Sequence, residues 1–185
     1  LTSLGSGVFE IVDMNHNIRT FSRNNVSSTS ITGGYVLQSM TDKNGNQLIY
    51  SYTEDGKVEK IQILPLNSDL ISQLKFSYNS SGLISQIETD GIDTAPEVKF
   101  YYSPNYNVTT DISPVYSGYL KKIEYINKNQ IIATASYEYD SSGKLIVARD
   151  DTSGYYVKYT YSNNKVTYIT EYANSESNFG QSISL

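Results

Sequence analysis

Apolar and polar residues alternate in short runs along most of the chain, and polar segments rich in Asp, Asn, Ser and Gly separate the runs. The pattern is clearest in Tyr137-Glu138-Tyr139-Asp140-Ser141-Ser142-Gly143-Lys144-Leu145-Ile146-Val147-Ala148. Two tyrosines two apart, a turn containing Gly and an aliphatic run specify a β-hairpin, because period-two alternation puts one face of each strand in contact and the other in water. No long window has a 3.6-residue period, and Tyr and β-branched residues suit a pleated surface, so the chain reads as all-β.

In chain order, the alternation predicts strands over 8–12 and 18–21 around an Asx-rich loop at 13–17, then a polar loop at 24–34. A strand at 35–40, a turn at 42–46 carrying Asn-Gly, a strand at 48–52, a turn at 53–57 and a strand at 58–64 follow. Pro65 ends that run because it cannot donate to a ladder. The phrase returns at 74–87 and again at 98–102, where an insertion at 103–117 containing Pro104 and Pro114 replaces the turn. It resumes at 118–123, passes through a further hairpin at 123–132 and the unit at Tyr137, and repeats last at 157–169. From Tyr172 onward the pattern fades into a polar tail.

The second aromatic of each copy is Tyr52, Tyr78, Tyr102, Tyr139 and Tyr161. Gly stands four positions later at Gly56, Gly82 and Gly143, but Lys165 does so in the last copy, which therefore needs a different turn or strain at positive φ. Period two places Tyr50, Tyr52, Phe76, Tyr78, Phe100, Tyr102, Tyr137, Tyr139, Tyr159 and Tyr161 on one face as an aromatic ladder. The opposite face, with Ser51, Lys75, Lys99, Ser136, Glu138, Lys158 and Thr160, reads as wet; Ile49, Tyr101 and Tyr156 break that rule. Hairpin units that cannot bury a face alone stack side by side. The expected architecture is consecutive antiparallel β-hairpins forming a curved open sheet or, since no helices are available to cover the ladder, a partly closed barrel-like roll.

Composition narrows the partners. A formal net charge of −5 disfavours a polyanion, so no nucleic-acid partner is expected. The absence of Cys fits a secreted protein held by sheet hydrogen bonds instead of disulfides. No apolar stretch is long enough for a membrane-spanning helix. The chain opens at Leu1 and reads as one module, 1–185, excised from a longer chain, with repeats over roughly 8–170.

Candidate chemistry is sparse. His16 is the single histidine and stands in a hairpin loop, so a multi-His zinc site is excluded. Asp13/Asn15/Asn17 and Asp42/Asn44/Asn46 share an alternation of oxygens that a hard cation such as calcium uses, although turns select the same residues through Asx bonding. The run Asp150-Asp151-Thr152-Ser153-Gly154 has the same double meaning. Without a His partner or a nucleophile elbow the many serines form no triad, so neither enzyme activity nor a cofactor is expected. Tyr101 and Tyr156 are the candidate ligand-binding residues, because aromatic rings exposed on a sheet stack on sugars or pair with neighbouring sheets. Asn25, Asn79 and Asn107 stand in glycosylation sequons, which matter only in a eukaryotic secretory host.

The recurring Tyr-x-Tyr-(Asp/Asn)-x-x-Gly-x-(Leu/Ile) phrase resembles the RHS/YD-repeat family, and Asp42-Lys43-Asn44-Gly45-Asn46-Gln47-Leu48-Ile49-Tyr50-Ser51-Tyr52 is similar to that family's linking phrase. The resemblance spans roughly 8–170. Only Tyr139-Asp140 is a literal Tyr-Asp; Thr53, Asn79, Ser103 and Ser162 stand at the Asp position elsewhere. The resemblance implies a large secreted or surface-attached bacterial protein built from a ribbon of hairpins, in some members a shell around a toxin domain, in others linked to cell-wall or carbohydrate attachment. It brings no catalytic residues. The implied role is a structural scaffold or shell segment whose partner is the remainder of the parent chain, and the alternative is a polysaccharide-binding module. Exposed sheet edges imply self-association of the isolated chain.

Overall fold

The computed structural model describes residues 2–5, 7–23, 34–67, 72–90, 96–103, 118–173 and 179–184. The loop at 24–33, most of the insertion (104–117), Asn25 and Asn107 lie outside the described residues. The chain divides into two compact units: the first comprises residues 1–77 and 87–95, the second residues 78–86 and 96–185. The first unit contributes β1 (Thr2–Gly5), β2 (Val8–Val12), β3 (Ile18–Arg23), β4 (Tyr35–Thr41), β5 (Gln47–Tyr52), β6 (Val58–Leu64) and nearly all of β7 (Ser72–Tyr78). The boundary passes through β8 (Ile84–Asp90). The second unit holds β9 (Glu97–Tyr102), β10 (Leu120–Asn127), β11 (Gln130–Tyr139), β12 (Leu145–Asp150), β13 (Tyr156–Ser162), β14 (Lys165–Tyr172) and β15 (Phe179–Ser184).

All strands belong to one antiparallel sheet whose spatial order is the chain order, so the protein is all-β and open. Of the two forms expected, the open sheet is the one found, its order beginning at β1 and ending at β15. Two strands escape the sequence pattern: β1, four residues long, and β15, which lies in the expected polar tail.

Two repeated devices build the hairpins. The first is a five-residue turn, found at 13–17, 42–46, 53–57, 79–83 and 140–144, in which the first N–H donates to the fifth carbonyl and the fourth N–H donates back to the first carbonyl. In every copy a side-chain oxygen of the first residue also accepts the fifth N–H: Asp13 Oδ1 from Asn17 at 3.0 Å, Asp42 Oδ1 from Asn46 at 2.9 Å, and Thr53 Oγ1, Asn79 Oδ1 and Asp140 Oδ1 at 3.0 Å each from Lys57, Leu83 and Lys144. The position needs an acceptor oxygen and not a charge, which is why Thr53 and Asn79 replace the Asp of the repeat phrase. The fourth residue takes a left-handed conformation, supplied by Gly in four copies and by His16 at φ 63° in the first. The last copy uses a two-residue turn, Asn163 and Asn164 at φ 49° and 63°, so Lys165 opens a strand and bears no strain.

The second device is the second Tyr of the phrase. Tyr52, Tyr102, Tyr139 and Tyr161 donate their hydroxyls to the carbonyls of Leu37, Ile84, Leu120 and Leu145 at 2.6, 2.9, 2.9 and 2.9 Å. The ladder between β4 and β5 covers only 39–41 against 47–49, and that between β12 and β13 only 147–149 against 156–158. Beyond those pairs the phenol ties the two strands together by donating to a backbone carbonyl of the neighbouring strand. Phe cannot do this.

In the second unit the register carries one row of residues across the sheet: Tyr101 opposite Lys122, then Ser136, Arg149, Tyr156 and Tyr172. Residues paired in this way share a face. Glu124, Ile126, Val147 and Tyr156, exposed by only 8, 7, 6 and 3%, all lie on that charged face. Among the described residues, the face expected to be wet therefore holds the buried side chains of the second unit's strands. Long Lys and Arg stems and Tyr rings lie over their neighbours there, with the charged ends paired. Among the described residues of the first unit none is buried to that degree.

Candidate functional site

The charged face of the second unit gathers several titratable groups that interact. At one end Tyr101 Oη donates to Glu124 Oε2 at 2.6 Å, while Lys122 Nζ lies 2.6 Å from Glu124 Oε1 and 5.8 Å above the Tyr101 ring. Burial pushes the Glu124 carboxyl up, but hydrogen bonds from Lys122 and Tyr101, with the charges of Lys122 and Lys99, outweigh it and hold the group below its ordinary value. Lys99 pairs with Glu97 at 3.2 Å beside it. At the other end the Tyr156 and Tyr172 rings stack at 4.8 Å with planes 9° apart, and the Arg149 guanidinium sits 4.3 Å over Tyr156. Lys158 Nζ lies 5.9 and 5.5 Å from the two rings. Between the ends, Ser136 Oγ donates to Asp151 Oδ1 at 2.8 Å.

Tyr101 and Tyr156 thus share one row of one face, as their period predicts, but four strand spacings apart, roughly 19 Å. Their environments differ. Tyr156 is buried beneath Arg149 and against Tyr172, so the expectation that its ring stands exposed is corrected: cation and aromatic neighbours occupy the surfaces a sugar would need. Tyr101 is half-buried and borders a shallow depression of about 240 Å³ lined also by Asn79, Ser85, Gln86, Lys99 and Tyr102. Ile49, the third exception, is half-buried in the first unit, opposite Ser39 and Gln62.

The two Asp-x-Asn-x-Asn loops come together at one end of the first unit. Met14, Asn15, His16, Asn17, Asp42, Lys43 and Asn44 line a second open depression of about 510 Å³. Their carboxylates are occupied by the turns. Asp13 accepts from Asn15 N, Asn17 N and Asn17 Nδ2 and pairs with Arg19 at 3.5 Å; Asp42 accepts from Asn44 N, Asn46 N and Asn46 Nδ2. Side-chain bonds from Asn17 and Asn46, first among several hydrogen bonds, hold both carboxyls below the ordinary range. Asp150 is held down in the same way, by Ser153 above all. These are Asx-turn contacts. Among the described residues no three His, Asp or Glu side chains converge as a metal site would require.

Lys122, Arg149 and Tyr172, which complete the row, and Glu124, which lies on the same face, are not singled out by the sequence. Alternation places each on its face, but the cross-strand register that joins them depends on bulges at 120–122 and 125–126, which leave no readable mark in composition.

No protein-family profile matches the chain. No curated protein matches it either. Among solved structures the chain is similar to one in the crystal structure of TcdB2-TccC3-TEV, with a TM-score of 0.54 and 16% identity, covering 87% of this chain and 9% of that one. A second, TcdB2-TccC3 without its hypervariable C-terminal region, has a TM-score of 0.47 at 14% identity over 94% of this chain and 11% of that one. The chain thus spans about a tenth of the length of the chains it resembles, and the first likeness is one of fold.

Proposed function

We propose that the chain is a non-catalytic scaffold segment of a bacterial secreted or cell-surface repeat protein of the RHS/YD type, one stretch of a hairpin ribbon whose partner is the rest of the parent chain. The observation that carries this reading is the use to which the polar groups are put. Tyr hydroxyls tie neighbouring strands together, the first oxygen of each five-residue turn caps the turn, and the ionised groups of the charged face are paired with one another. The repeated phrase encodes continuation of the sheet, and the fold shared with a TcdB2-TccC3 chain supports an RHS-like relationship at low identity. Export to the cell exterior follows from the same reading.

A carbohydrate-binding role is the second reading, and the depression beside Tyr101 favours it. Titration against soluble polysaccharides and cell-wall preparations separates the two. The scaffold reading expects no saturable binding. Saturable binding that disappears in Tyr101→Ala but persists in Ile49→Ala would replace it with a carbohydrate module.

A further inference from the structure

Asn44-Gly45 is the single Asn-Gly in the sequence, and it stands in the 42–46 turn joining β4 and β5. Asn44 is exposed, and among the described residues no hydrogen bond engages its side-chain amide. In an Asn-Gly pair the glycine nitrogen attacks the asparagine Cγ, since no side chain on Gly hinders the approach. The new N–Cγ bond closes a succinimide as the Cγ–Nδ2 bond breaks and ammonia leaves. Water then opens the ring at either carbonyl, giving aspartate or isoaspartate. No oxidant or cofactor is needed.

Here the attacking nitrogen is occupied. Gly45 N donates to the Asp42 carbonyl at 3.0 Å, and the turn is fixed further by Asp42 Oδ1, which accepts Asn44 N at 2.8 Å and Asn46 N at 2.9 Å. Leu66 lies over the glycine so closely that a Cβ at Gly45 would meet its methyls at 3.2 Å, and Asn46 Oδ1 accepts the Leu66 N–H at 3.0 Å. At the other end of the same strand pair Tyr52 Oη holds the Leu37 carbonyl at 2.6 Å. The nitrogen is freed only when this hairpin opens.

We infer that Asn44 is a spontaneous deamidation site gated by opening of the β4–β5 hairpin, so that conversion of this amide to a carboxylate records how often the hairpin has opened. The product adds a negative charge beside Asp42, and the isoaspartyl form lengthens the backbone by one methylene inside a turn that depends on five-residue spacing. The modified turn loses its register and the change is irreversible.

The test is incubation of the whole chain at mildly alkaline pH, followed by proteolysis and mass analysis. The analysis resolves the asparaginyl, aspartyl and isoaspartyl forms of the peptide that contains position 44. Folded protein is expected to react more slowly than the same chain in denaturant, by roughly tenfold or more, since opening of a hydrogen-bonded hairpin precedes the chemistry. Tyr52→Phe is expected to react about fivefold faster than the parent, the factor that loss of one ordinary hydrogen bond represents. Leu66→Ala, which uncovers the glycine from a different side, is expected to accelerate the reaction too, with circular dichroism verifying that both variants stay folded. Equal rates in folded and denatured chain would overturn the gating, and no product in the denatured chain would overturn the site itself.

Discussion

The two units are built from the same phrase and end up held differently. The first has five-residue turns at 13–17, 42–46 and 53–57 and a phenol bridge from Tyr52, yet among its described residues none is buried as deeply as Glu124 or Tyr156. The second has the same devices and adds the charged face, with Val147, Ile126, Glu124 and Tyr156 all less than a tenth exposed. The repeat phrase therefore makes sheet, while the buried side chains of the charged face, of which only Val147 belongs to the phrase, meet across strands. Hydrogen-bond devices contribute roughly 1 kcal/mol each and fix geometry; burial of large rings contributes several times that per residue.

The largest expected effect is at Tyr156. Tyr156→Ala should destabilise the second unit by roughly 3–5 kcal/mol, because it removes a buried ring and uncovers Arg149 and Tyr172. Its counterpart in the first unit, Ile49→Ala, should cost about 1–2 kcal/mol, in keeping with a half-buried site. Denaturant titration of each variant gives both values, and equal losses would erase the distinction between the units.

Next is Glu124. Its carboxyl titrates lower in the folded protein than its ordinary value of 4.5, so the stability it contributes is present above that pH and is lost as the pH falls through the folded value. Asp13, Asp42, Asp140 and Asp150 are depressed in the same direction, so acid weakens both units. Glu124→Gln should flatten the acid limb of the second unit only. A stability–pH curve for the variant parallel to that of the parent would show that Glu124 is not coupled to folding.

The phenol bridges come third and sharpen the comparison by failing to differ. Tyr52→Phe and Tyr139→Phe should each cost about 1 kcal/mol whichever unit they occupy, since both remove one hydroxyl-to-carbonyl bond and little volume. Smallest is the turn at His16. Four of the five copies place Gly in its left-handed position, so His16→Gly should stabilise by up to about 1 kcal/mol, read as a rise in melting temperature.

Much of the fold is legible in the sequence because it depends on local chemistry. Turn 140–144 announces itself through Asp140 and Gly143, and alternation around it sets which residues share a face. The Lys165 anomaly is legible as well, and its resolution, a two-residue Asn163-Asn164 turn, follows from a shift of one position. What alternation cannot reveal is which face is occluded, since Tyr, Lys and Arg are amphipathic and lie down or stand up according to their cross-strand neighbours. Tyr156 shows the consequence. Lys158 and Thr160 follow it in sequence and predict exposure, but Arg149 and Tyr172 surround it in space. β15 escapes the pattern because Gly180, Ser182 and Ser184 give a strand whose pairing to β14 is mostly backbone.

Residue-resolved hydrogen exchange tests the central claim most directly. If the charged face is the core, amides of β10, β12 and β13 near Glu124, Val147 and Tyr156 should exchange slowest, those of β3 to β5 should exchange faster, and Tyr156→Ala should abolish the difference. Protection equal in the two units, or strongest around Tyr50 and Tyr52 on the aromatic ladder, would contradict it and move the core to the ladder face.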